Sequence, residues 1–288
     1  MARHNRRFRQ FAAPVGLAVA LTITGCGSSD SSESSKTTTT TAAPSATSTT
    51  VASSETAPLK ILVSNDDGYS ADGIDTLVEA LGTLDNVEIS VVAPLDQRSG
   101  TGGSQSDGPL AQSDVKLKSG HGATAVDGFP ADTIRVAVDE MGLEPHVVIA
   151  GINQGQNLGP LIDISGTVGA ARAAVSRGIP ALSASQGTGE AFDYEAAVPL
   201  IIDWVTKNRD ALVSGEAEVQ VTNLNIPSCD AGEMRGLVEV EAALDGDVGA
   251  SLSHQDCTST QESDSLDEVE AFNAGFATIN VIPAEPAQ

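Results

Sequence analysis

Short apolar runs and amphipathic stretches alternate regularly from residue 58 onward. Residues 59–64 (Leu-Lys-Ile-Leu-Val-Ser) read as a strand. Residues 73–84 carry Ile74, Leu77, Val78 and Leu81 at helical spacing, and residues 87–93 read as a second strand. This succession is a βαβ unit, so the strands at the centre of the sheet run parallel. The alternation continues with a helix near 131–141, a strand at 146–150, a helix over 168–177, a strand at 181–185, a helix over 194–207 and a strand at 219–226. Residues 94–108 form a polar, glycine-rich loop, and the stretch after it is less regular. Residues 230–267 are acidic and weakly periodic, before a final strand or hairpin at 275–282. The pattern predicts an α/β fold with a mainly parallel central sheet and a short C-terminal β extension.

The first residues follow a different logic. Arg3, Arg6, Arg7 and Arg9 precede an apolar run, residues 11–23, that is too short to cross a bilayer stably, and Thr24, Gly25 and Cys26 follow. A cysteine after a small residue, with no Ala-x-Ala cleavage site, resembles a bacterial lipobox. Residues 1–26 are therefore expected to be a lipoprotein signal peptide, with Cys26 the lipidated first residue of an exported, membrane-tethered chain. Residues 27–57 consist mainly of Ser, Thr and Ala. They cannot bury enough apolar surface to offset ordering and are expected to be a disordered tether. Residues 58–288 are long enough for one α/β domain with its own core.

Charge narrows the partners. The formal net charge is −24, and loss of the signal peptide, which has four arginines and no acids, makes it more negative still. Such a surface disfavours nucleic acid polymers and electrostatic docking on anionic lipid. Aromatic residues make up 3% of the chain, too few for a base-stacking platform along a single strand. With Cys26 assigned to lipid, Cys229 and Cys257 remain as one pair in an oxidising compartment, and a structural disulfide is expected.

The candidate chemistry lies at strand ends. Residues 61–68 (Ile-Leu-Val-Ser-Asn-Asp-Asp-Gly) finish an apolar strand on two adjacent carboxylates, Asp66 and Asp67. Open α/β sheets place ligands at this end of their strands, and two such charges repel unless a cation joins them. Residues 147–153 (Val-Val-Ile-Ala-Gly-Ile-Asn) run into a second loop that offers Asn153 and Asn157. Carboxylate, hydroxyl and amide oxygens are hard donors that suit Mg²⁺, Mn²⁺ or Ca²⁺. His121, His146 and His254 have no ligand spacing that would suit zinc. Ser165-Gly-Thr at a helix start reads both as an N-cap and as a phosphate cradle.

Taken in order, the motifs at residues 61–68 with Gly73-Ile74, Val92-Ala-Pro94 leading to Arg98-Ser-Gly100, residues 151–159 (Gly-Ile-Asn-x-Gly-x-Asn-Leu-Gly), Ser165-Gly-Thr-Val168, residues 178–182 (Gly-Ile-Pro-Ala-Leu) and residues 223–227 (Asn-Leu-Asn-Ile-Pro) resemble the SurE survival-protein nucleotidases. The resemblance covers residues 59–227 and implies a Rossmann-like three-layer fold. It also implies metal-dependent hydrolysis of nucleoside monophosphates. Carried over by motif position, it gives Asp66, Asp67, Ser99 and Asn153 as ligands of a divalent ion, Mg²⁺ or Mn²⁺. Asp66, Asp67 and Asn157 become catalytic residues, and Asn157, Ser165, Gly166 and Thr167 become phosphate-binding ones. The chain departs from the family pattern at Gly102, Phe129, Ile164, Arg172 and Ala173, around the phosphate and nucleoside pockets. A homodimer is a further expectation. The competing reading from a different class is a non-catalytic lipoprotein that binds a metal and an anion on the same fold.

Overall fold

The computed structural model describes residues 57–286. Nine strands form one sheet in the order β3-β4-β2-β1-β5-β6-β7-β9-β8. The strands are β1 (Leu59–Ser64), β2 (Val87–Pro94), β3 (Gln112–Lys116), β4 (Gly122–Val126), β5 (Val147–Gln154), β6 (Ala181–Gln186), β7 (Val221–Ile226), β8 (Leu237–Glu239) and β9 (Ala277–Ile282). The run from β4 through β7 is parallel throughout, while β3 pairs antiparallel with β4 and β9 antiparallel with β7.

Side-chain alternation along the central strands sorts the core onto two faces. Leu59, Ile61 and Val63 of β1 point with Val147 and Ile149 of β5 toward helices α1 (Asp72–Leu81) and α4 (Tyr194–Ser214), which contribute Ile74, Leu77, Ile201 and Val205. Leu62, Val148 and Ala150 face the other way, onto Ile134 of α2 (Pro130–Arg135) and onto Val168, Ala170 and Ala171 of α3 (Gly166–Val175). Helices on both faces of a parallel sheet make three layers, as the family resemblance implied.

Chain order decides where the site falls. From β1 the chain moves to β2 and β4 on one side, and then returns to place β5 on the other side of β1. The helices leaving β1 and β5 therefore diverge, and a crevice opens beyond the carboxyl ends of these two strands.

The predicted helix over 131–141 is α-helical only through Arg135. It continues as a π-helical turn, Val136–Glu140. The predicted helix over 194–207 runs seven residues further, until Gly215 takes a left-handed φ of 73° and closes it. The irregular stretch after residue 108 contains the β3–β4 hairpin. The acidic tail also holds structure: β8, the short helices α5 (Val248–Ser251) and α6 (Glu268–Asn273), and the disulfide Cys229–Cys257. The signal peptide, Cys26 and most of the tether lie outside the described residues.

Candidate active site

Asp66 follows the end of β1 and is only 2% exposed. Its Oδ1 accepts the Thr167 hydroxyl at 2.6 Å. Burial pushes its carboxyl pKa upward, against the lowering effect of the Thr167 hydroxyl and of the backbone N–H groups of Asp66, Thr167 and Gly166. The start of α3 is thus directed at this carboxylate. Gly166 makes the approach feasible, since a Cβ there would lie 2.8 Å from the Asp66 Cβ and Oδ2. Asp67 is half-buried and accepts the Gln154 backbone N–H at 3.0 Å. Burial, and after it the neighbouring Asp66 charge, pushes its pKa up to about 6. Two carboxylates held this way disfavour joint ionisation until a cation compensates them.

The second strand end supplies neutral oxygens. Asn153, at the end of β5, donates its Nδ2 to Gly155 O at 2.6 Å, which leaves Oδ1 buried without a hydrogen-bond partner. A buried acceptor in that condition costs free energy unless something completes it, and an amide oxygen is a hard ligand. Gly151 lets β5 approach β6, because a Cβ there would sit 2.4 Å from Ala184 O, and its φ of 146° lies in the glycine region. Ser99 is exposed on the loop after β2, where its Oγ accepts Gln97 Nε2 at 2.8 Å. That loop is tied to the site by Arg98 N donating to Asp66 O at 2.6 Å and by Gly102 N donating to Ile164 O at 2.9 Å.

Asp66, Ser99, Asn153, Asn157 and Ser165 line one cleft of about 240 Å³. Asp67 opens on its far side, across Gln154, into a wider cleft of about 520 Å³ bounded by Asp72, Gln97, Lys118, Phe192 and Tyr194. Among the described residues no three His, Cys, Asp or Glu side chains gather into a cluster. A cation here would therefore be held by two carboxylates plus amide and hydroxyl oxygens. The unsatisfied Asn153 Oδ1 and the paired acids fit a hard divalent ion.

The remaining predicted residues take different places. The Ser165 Oγ accepts Val168 N at 3.1 Å and caps α3 while lining the cleft. Thr167 is fully buried and its hydroxyl is directed at Asp66. Asn157 is the hub of a buried amide network: its N–H donates to Asn225 Oδ1 at 2.7 Å and its Nδ2 to Ser185 Oγ at 2.8 Å. Its carbonyl accepts the side-chain amides of Asn223 and Asn225. Gln156, Thr188 and Leu252 also line the cleft and escaped the sequence reading. Gln156 occupies a variable place in its motif, and nothing local marks Thr188 or Leu252. Gly102 stands where the family pattern has serine. Its φ is 53°, and a Cβ would lie 2.9 Å from Asp163 O, so the loop geometry itself calls for glycine.

The family model described as "Survival protein SurE" matches residues 61–245. A protein from Brevibacillus brevis named 5'-nucleotidase SurE is 37% identical over 193 residues, 65% of this chain and 73% of that one. A protein of the same name from Prochlorococcus marinus is 38% identical over 62% of this chain and 67% of its own. The crystal structure of the SurE protein from Aquifex aeolicus superposes with a TM-score of 0.62 at 26% identity, covering 80% of this chain and 95% of that one. The matched segment contains both strand ends and every residue of the cleft except Leu252. The chain belongs to the SurE family of survival proteins.

Proposed function

We propose that this protein is a divalent-metal-dependent phosphomonoesterase that hydrolyses nucleoside monophosphates to nucleoside and phosphate. The observation that carries the reading is the buried, unpartnered Asn153 Oδ1 on the same cleft as Asp66, with Asp67 beside it. The names of the relatives support the substrate class. Asp66, Asp67, Ser99 and Asn153 would hold Mg²⁺ or Mn²⁺, which when bound supplies Lewis-acid stabilisation of charge on the phosphoryl oxygens.

The chain's own groups do the rest. Asp66 or Asp67 accepts the proton of the attacking water as general base. Asn157 and Ser165 offer hydrogen bonds to the phosphoryl group from a wall that is fixed before substrate arrives. Gly166 and Thr167 serve the phosphate indirectly, by fixing Asp66. Lipid attachment at Cys26 places this hydrolysis outside the cytoplasmic membrane.

The test is inorganic phosphate release from a panel of nucleoside monophosphates with Mn²⁺, Mg²⁺ or chelator, beside the Asp67→Ala variant. The expected result is metal-dependent turnover that the substitution abolishes. A folded protein that binds Mn²⁺ but releases no phosphate from any ester would instead be a non-catalytic metal- and anion-binding protein.

A further inference from the structure

Two large apolar side chains on the cleft are left uncovered. Ile164 and Leu252 are each 57% exposed, the most exposed large hydrophobic residues among those described, and both line the cleft that holds Asp66, Ser99 and Asn153. They reach it from different directions. Ile164 follows the 3₁₀ turn Gly159–Asp163 and immediately precedes the Ser165 cap. Leu252 follows α5, in the tail beyond residue 245 where the family match ends.

The tail segment is not draped loosely over the cleft. Gln156 Nε2 donates to Ser251 O at 3.0 Å, and Asn273 Nδ2 donates to Ala250 O at 2.9 Å. Downstream, Gln255 Oε1 accepts Ser228 N at 3.0 Å, and Cys257 is covalently joined to Cys229. Leu252 is thus held at the cleft by anchors on both sides. A rigidly presented apolar side chain that stays mostly in water is stabilised when a ligand covers it, at little further cost in ordering.

We propose that Ile164 and Leu252 form an apolar clamp for the leaving group of the ester, and that this group is a planar nucleobase carried on its sugar. The inference rests on the phosphomonoesterase reading and adds the residues that select the substrate. Phosphate occupies the polar floor at Asp66, Ser99 and Asn153, and the base lies against the two aliphatic side chains at the rim. The wider cleft on the Asp67 side is the rival location. There, however, Phe192 and Tyr194 are partly buried and stack on each other at 6.0 Å between centroids, and Lys118 is engaged by Asp72.

Equilibrium binding of adenosine and of inorganic phosphate to the metal-loaded full chain separates the possibilities, with Ile164→Ala, Leu252→Ala and Phe192→Ala variants. The clamp predicts that adenosine binds about tenfold more weakly to each of the first two variants, the scale of losing apolar contacts in a hydrophobic pocket. Phosphate affinity stays unchanged, and Phe192→Ala binds adenosine like the parent. Adenosine affinity that is unaffected at Ile164 and Leu252, or that falls only in Phe192→Ala, overturns the proposal. Turnover supplies the second readout: KM for a nucleoside monophosphate rises in the two clamp variants while KM for glycerol phosphate does not. Should no protein in the set release phosphate, the phosphomonoesterase reading fails, and the adenosine comparison still decides the clamp.

Discussion

Asp66 and Asp67 are adjacent in sequence but differ in surroundings. Asp66 is enclosed and receives hydrogen bonds, while Asp67 is half-buried, and burial, and after it the neighbouring Asp66 charge, pushes its pKa up to about 6. A carboxyl whose folded pKa lies above its unfolded value of 3.8 favours the folded state in its protonated form. The stability it contributes is therefore present below about pH 4 and lost as pH rises through about 6. Metal-free protein should accordingly lose thermal stability across that window. Mn²⁺ should raise the melting temperature more at pH 7.5 than at pH 5, which differential scanning fluorimetry would measure; an equal shift at both pH values would contradict the assignment. Thr167→Val keeps the shape of the side chain but removes the hydroxyl donated to Asp66. Mn²⁺ affinity measured by calorimetry should fall about 10-fold or more, the scale for residues that orient a metal ligand, with the fold intact.

The elements around the cleft depend on close backbone approaches. A Cβ at Gly169 of α3 would lie 2.0 Å from Gly102 O, in the loop that carries Ser99, so α3 and this loop are fixed against each other. Gly169→Ala should destabilise the protein by about 1–3 kcal/mol in urea titrations and weaken metal binding at the same time. Gly103→Ala in the same loop would meet nothing within 4 Å and should stay within about 0.5 kcal/mol of the parent. At this scale the sequence is readable where burial imposes a pattern. Strands β1 and β5 are covered on both faces and show it as the apolar runs at residues 61–63 and 147–152. Strand β3, Gln-Ser-Asp-Val-Lys, is an exposed edge with no apolar face to betray it. The tail helix α6 escaped notice because it is only six residues long and includes a buried acid, Glu268. That side chain is satisfied by the N–H groups of Gly159 and Ala243 and by Asn280 Nδ2, none of them near it in sequence.

For the whole molecule, the order of the strands sets the function. The reversal between β1 and β5 gathers the ligand candidates from three separate loops, and the polar motifs at these loops were visible in the sequence because each carries more Asp, Asn, Ser or Gly than a turn requires. Leu252 was invisible for the opposite reason. An isolated leucine in an acidic tail has no local signal, and only the tertiary path of the tail brings it to the cleft. The disulfide that holds that path joins cysteines 28 positions apart, and its reduction should cost about 3.5 kcal/mol of unfolding free energy in denaturant titrations. Reduction under native conditions should also weaken adenosine binding as Leu252→Ala does.

The proposed hydrolysis needs a cation at the crevice between β1 and β5, and the most direct measurement of that need is the Mn²⁺ dependence of phosphate release from a nucleoside monophosphate by the parent and by Asp66→Asn. Release that saturates with Mn²⁺, stops with chelator and falls about 100-fold or more in the variant is the predicted result. Release that persists in chelator, or proceeds at parental rate in Asp66→Asn, would contradict it.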